Sequence, residues 1–221
     1  RQAAGWSFMK ALIQSNTPTL GVITKNSEQR NYFKEDAQKI LFKNQNLDVK
    51  WTPYHQPYLS EPFGGIFMPG PGFDEFIKIR SFFGHDRYSL IGITHTTASK
   101  RIMQSIQSLL TLPIMPWDAL ICTSQSVLET VTNIVDNRFN FLEERYGYKN
   151  RILPKLPVIP LGIDETEFNY SDSDRVSSRK KLNINEDDIV VIFVGRLSFH
   201  AKAHHFPMYK ALEECSKGLK D

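Results

Sequence analysis

Short apolar or β-branched runs alternate along this chain with segments whose apolar residues recur at helical spacing, and that alternation limits the fold more than any other feature. The runs fall at 19–24, 47–52, 64–68, 88–95, 117–123, 156–161 and 189–194. Helical spacing appears at Trp6, Met9, Leu12 and Ile13, at Phe33, Ala37, Ile40 and Leu41, and at Ile102, Ile106, Leu109 and Leu110. Strands that alternate with helices imply parallel pairing through helical crossovers. Several runs are apolar at successive positions, as in strands covered on both faces. The fold class expected from pattern is therefore α/β, with a Rossmann-like parallel sheet and flanking helices.

The longest helix is expected from about Ser126, where Ser126 and Glu129 make a capping-box pattern, through Val131, Val135 and Leu142 to a stop at Gly147. Pro207 at a first-turn position, followed by Met208, Leu212 and Cys215, predicts a last helix. Between them, 169–178 is rich in Ser and Asp and reads as an interdomain connection. The division expected is a first domain over 1–168, a linker over 169–185 and the beginning of a second domain over 186–221. One strand, one loop and one helix cannot bury both faces of a domain. The second domain is thus expected to be truncated, with Ile192, Val194, Met208 and Leu212 more accessible than Ile121 and Ile159 in the core.

Composition excludes some classes. With 221 residues and 41% hydrophobic content the chain can bury a core. A net charge of +3 with scattered basic residues makes no nucleic-acid footprint. The apolar runs are strand-sized, so no transmembrane segment is expected, while peripheral contact with a membrane surface stays compatible with the sequence. Cys122 and Cys215, one in a strand pattern and one in a helix pattern, do not suggest a disulfide framework. A reducing, cytoplasmic setting, at the inner face of a membrane if peripheral, follows as the expectation.

The residues with chemistry to offer cluster late in the chain. The run 189–194 ends in Gly195-Arg196-Leu197, and Lys202 follows. Gly195 permits close approach to the backbone, Arg196 offers a planar fork of donors to phosphate oxygens, and Lys202 adds a mobile charge. This is a diphosphate-holding pattern. His95 ends the run in Gly92-Ile93-Thr94-His95-Thr96-Thr97 just before a helix capped by Thr97 or Ser99, at a strand's carboxyl end where open α/β sheets bind ligands. Gly64-Gly65 and Pro69-Gly70-Pro71-Gly72 read as turns, and could also form an acceptor-side loop. His200, His204 and His205 have no Cys or acidic companion, so a loop fits them better than a metal site. Asp172-Ser173-Asp174 reads as solvated linker.

Two segments carry a family resemblance. Arg179-Lys180-Lys181-Leu182-Asn183-Ile184, a short acidic stretch, the 189–194 run, Gly195-Arg196-Leu197 and Lys202 resemble the opening of the C-terminal domain of family 4 glycosyltransferases, the large retaining GT-B group. Val158-Ile159-Pro160-Leu161-Gly162-Ile163-Asp164, with Phe168, is similar to the end of that family's N-terminal domain. The resemblance implies a GT-B architecture and transfer of a sugar, with retention, from a nucleotide-diphosphate donor to a hydroxyl of a glycan, lipid-linked or small-molecule acceptor. It implies no cofactor and no metal, with Arg196, Lys202 and Gly195 at the donor diphosphate. It makes His95 the group that helps position the reacting sugar, and Gly5 the tail of a Gly-rich loop that nears donor phosphate and acceptor. By the same comparison a first central strand is missing before Gly5, and Ala203 stands where the family usually has Gly. A GT-B phosphorylase and a binding fragment without turnover remain the alternatives.

Overall fold

The computed structural model describes residues 3–15, 17–41, 47–163, 165–195, 197 and 204–218. The chain divides into two compact units, Arg1–Ile163 and Asp164–Asp221. In the first, helix α1 (Ala3–Gln14) leads to strand β1 (Thr19–Thr24), α2 (Ser27–Ile40) and β2 (Asp48–Pro53). A 3-10 helix, Pro57–Phe63, then leads to β3 (Gly65–Phe67), α3 (Asp74–Phe83), β4 (Ser89–Thr94), α4 (Lys100–Ser108), β5 (Ala119–Cys122) and α5 (Gln125–Tyr146).

Among the described residues all pairing is parallel, in two sheets. β1 pairs β2 from Thr19↔Asp48 to Thr24↔Pro53. The second sheet has the order β3-β4-β5, with Phe67 opposite Ile91 and Thr94 opposite Cys122. The side-chain alternation of β1 sends its two faces to different cores. Leu20 joins Ile13, Ala37 and Ile40 from α1 and α2, whereas Ile23 packs on the larger core. That core joins β3, β4 and β5 to α3, α4 and α5 through Leu90, Leu120, Phe73, Ile77, Ile106 and Val131. In β3, likewise, Ile66 faces this core while the Phe67 ring stacks on Phe8 of α1 at 3.6 Å. Helices α1 and α2 thus cover one face and α3, α4 and α5 the other.

A buried ion pair fastens the larger core. The Arg80 guanidinium donates to both carboxylate oxygens of Asp118 at 2.7 Å, with both side chains fully buried. Asp118 also accepts from the backbone N–H of Leu90 and Met115, and Arg80 donates to the carbonyls of Tyr88 and Pro113. Charges removed from water this way persist only when most of their remaining donors and acceptors are satisfied, and here the Arg80 Nε is left without a partner among the described residues. The pair therefore holds α3 to the entries of β4 and β5. Beside it the buried Tyr88 hydroxyl donates to the Phe76 carbonyl at 3.0 Å.

Several sequence expectations are corrected. The run 156–161 is not a continuous strand. Residues 155–159 lie parallel to β5, with the N–H groups of Leu120 and Cys122 bonded to the Lys155 and Pro157 carbonyls and the Ile159 N–H to the Cys122 carbonyl. Pro157 has no N–H to donate, so the pairing is reduced to the isolated bridges Ala119↔Lys155 and Cys122↔Val158, and Ile159 is 51% exposed rather than core. The run 189–194 forms no strand, with Ile192 at 77% and Val194 at 85% exposure. β-branched composition makes a strand only where a neighbour offers an edge and a face to bury. Leu212, at 38%, is less exposed than Ile159, and Met208 is half-buried, so the expected ranking holds only for Ile192 and Val194.

The expected linker is largely helix. α6 (Asp172–Lys181) begins at a capping box in which Ser171 and Asp174 satisfy each other's backbone N–H, and ends on Arg179, Lys180 and Lys181. Acids at the amino end and cations at the carboxyl end both favour the helix dipole. Asp172 and Asp174 are thus helix-start residues, and the hydroxyl bond from Ser171 lowers the pKa of Asp174. Arg179 also closes the following turn, donating to the carbonyls of Asn185, Glu186 and Asp188. The last helix, α7 (His205–Gly218), starts two residues before Pro207, and the His204 ring accepts from the N–H of Phe206.

The cap of α5 is Ser124, not Ser126: its hydroxyl accepts from the N–H of Val127. At the other end Gly147 takes the left-handed conformation, φ 65°, and returns its N–H to Glu143.

Candidate functional site at the carboxyl edge of β3, β4 and β5

The carboxyl ends of β3, β4 and β5 present three loops at one edge. After β3, the chain runs through 68–73 into α3, with the Met68 N–H still bonded to the Ile91 carbonyl. This loop presses on β4 at Gly92. A Cβ there would lie 2.6 Å from the Gly70 carbonyl oxygen and 2.8 Å from the Phe73 ring, distances no side chain tolerates. Gly70 itself faces open space.

β4 ends at Thr94, fully buried, and His95 follows immediately, exposed. Residues 95–98 have no regular structure, and Ser99 then caps α4 by accepting from the Ile102 N–H. β5 ends beside it, where the Thr123 hydroxyl donates to the Thr94 carbonyl at 2.9 Å and Ser124 caps α5. Three helices, α3, α4 and α5, therefore begin at this edge.

Neither α4 nor α5 has an acidic residue in its first turn, unlike α2 with Glu28 and α3 with Asp74 and Glu75. In α4 the first turn instead carries Lys100 and Arg101, both exposed and making no ion pair with the described residues. Unneutralised helix amino ends attract anions. Glu75 is engaged: the Tyr54 hydroxyl donates to it at 2.8 Å, which raises the Tyr54 pKa above the usual 10.0. Cys122 is no nucleophile here, since burial raises its thiol pKa above 9.0 and keeps the thiolate scarce.

His95 lies where the sequence predicts, just past a parallel strand and before a helix capped by Ser99. Its exposed ring is free to exchange hydrogen bonds with a ligand at this edge. Gly5 does not precede the first helix but sits in the first turn of α1. Gly195 is described and exposed, whereas Arg196, Lys202 and His200 lie outside the described residues. Among the described residues no cluster of three or more His, Cys, Asp or Glu could hold a metal ion, and no helix is long and apolar enough to cross a membrane.

Sequence reading missed Gly92, Thr94, Lys100 and Arg101. The last two had a legible signal, a basic pair directly after a Ser cap where acids are favoured. A shallow depression lined by Gly64, Asp86, Tyr88, Ser89 and Trp117 lies at the opposite, amino-end edge of these strands. No protein-family model, no curated protein and no solved structure matches the chain.

Proposed function

We propose that the chain belongs to a metal-independent retaining glycosyltransferase of GT-B architecture, related to family 4, that moves a sugar from a nucleotide-diphosphate donor to an acceptor hydroxyl. The observation that carries the reading is His95, exposed one residue past the end of β4 and beside the amino end of α4. Doubly wound α/β folds bind ligands at that edge. In this reading His95 orients the sugar, and Arg196 and Lys202 neutralise the diphosphate as it leaves. That is electrostatic stabilisation of charge developing on a leaving group.

Calorimetric titration with nucleoside diphosphates tests the donor half. Binding by the native chain, lost in Arg196→Ala and in Lys202→Ala, is the expected result, and equal binding by all three rejects the diphosphate assignment. For the acceptor half, transfer of labelled sugar should fall by about a hundredfold or more in His95→Ala, with donor affinity retained. Unchanged transfer would remove His95 from the site.

A further inference from the structure

We propose that the amino end of α4, floored by the Thr94 hydroxyl, is a phosphate-binding subsite, and that the phosphate is carried by the acceptor. The second clause rests on the transferase reading, in which the donor diphosphate belongs to Arg196 and Lys202. The first stands on geometry alone.

Two independent observations carry the proposal. At the amino end of α4, Ser99 uses its hydroxyl for the Ile102 N–H and its carbonyl for the Met103 N–H. The N–H groups of Lys100 and Arg101 are left without an acceptor among the described residues. Their own side chains add two cations, and no acid in the first turn opposes them.

The second observation is the Thr94 side chain. Its Oγ1 is buried and has no hydrogen-bond partner among the described residues, although the carbonyl of the same residue is engaged by Thr123. Thr94 shares a face of β4 with Gly92, which touches the Gly70 carbonyl and the Phe73 ring, while Gly72 lies nearest Ser105 of α4. Thr94 therefore sits at the carboxyl end of β4, on the face that carries Leu90 into the core to which α4 contributes Ile106. Only the irregular segment 95–98 separates it from the helix start in sequence.

A buried hydroxyl left unpaired is a net cost to the fold, and such groups are rare unless something uses them. A phosphate fits the set. Its oxygens can accept from two backbone N–H groups, from two flexible cations and, when 95–98 shifts, from the Thr94 hydroxyl.

Backbone NMR of the native chain titrated with inorganic phosphate, against chloride at matched ionic strength, tests the subsite without requiring turnover. Phosphate should move the amide signals of residues 94–102. Thr94→Val should weaken binding about tenfold and raise the melting temperature, because a methyl replaces an unpaired hydroxyl. Arg101→Ala, a surface change, should weaken binding with the fold intact. Absence of phosphate-dependent shifts at 94–102 overturns the subsite. So does a Thr94→Val protein that melts lower and binds phosphate as before, since the hydroxyl would then be a satisfied structural group. Displacement of phosphate by a sugar phosphate, and not by a nucleoside diphosphate, supports the acceptor as its source. Displacement by the nucleoside diphosphate at these amides overturns that assignment. Sugar transfer is assayed separately, so the transferase reading and the subsite fail on different measurements.

Discussion

Adding one methyl group at Gly92 would place a carbon 2.6 Å from the Gly70 carbonyl oxygen. Neither backbone can yield without moving the 68–73 loop off β4. Gly92→Ala should therefore cost about 1–3 kcal/mol of unfolding free energy, read from denaturant midpoints at constant m-value. Tyr88 sets a second expectation. Burial, foremost, raises its pKa from 10.0 to about 12, with the Asp118 charge adding to the rise and the Arg80 charge opposing it. The folded state thus holds this proton more tightly than the unfolded chain. Its contribution, about 2–3 kcal/mol, is fully present below pH 10 and is lost as pH rises toward 12. Melting curves over that window should fall more steeply for the native chain than for Tyr88→Phe.

At the scale of elements, two connections decide how the helices sit on the larger core. The Ser124 hydroxyl starts α5. Ser124→Ala should cost about 1 kcal/mol, whereas Ser126→Ala, inside the first turn and exposed, should change stability by no more than about 0.5 kcal/mol. Equal costs would restore the capping box expected at Ser126 and Glu129. The Arg80–Asp118 pair ties α3 to the entries of β4 and β5. Arg80→Met leaves the Asp118 carboxylate buried without its cation and should cost about 3–5 kcal/mol. Adding Asp118→Leu should recover part of that loss, because the stranded charge is then gone.

Across the whole molecule the two units differ in what they bury. The first has a continuous core through β3, β4 and β5, whereas α6 and α7 of the second contribute no buried residue. Local stability follows buried apolar contact. Hydrogen exchange should therefore protect the amides of β4 and β5 by orders of magnitude more than those of α6 and α7. Comparable protection in both would mean that the second unit has a covered apolar face.

Where local chemistry settles the outcome, the sequence alone determined this protein. The 3.6-residue spacing placed α1, α2, α4 and α5 within a few residues, Gly147 ended α5, and the position of His95 after a strand and before a Ser-capped helix was legible. Such features depend on neighbours within about one turn. Side-chain partners distant in sequence were not legible. Arg80 meets Asp118 38 residues away, and Gly92 meets the Gly70 carbonyl only because β3 and β4 pair. The run 189–194 has the composition of a strand, yet pairing needs an edge, which composition does not supply, and in 156–161 Pro157 interrupts the ladder that its neighbours make with β5. Only the tertiary structure decided which strands form, which face of β1 meets which core, and that the buried hydroxyl of Thr94 at the carboxyl end of β4 has no hydrogen-bond partner among the described residues.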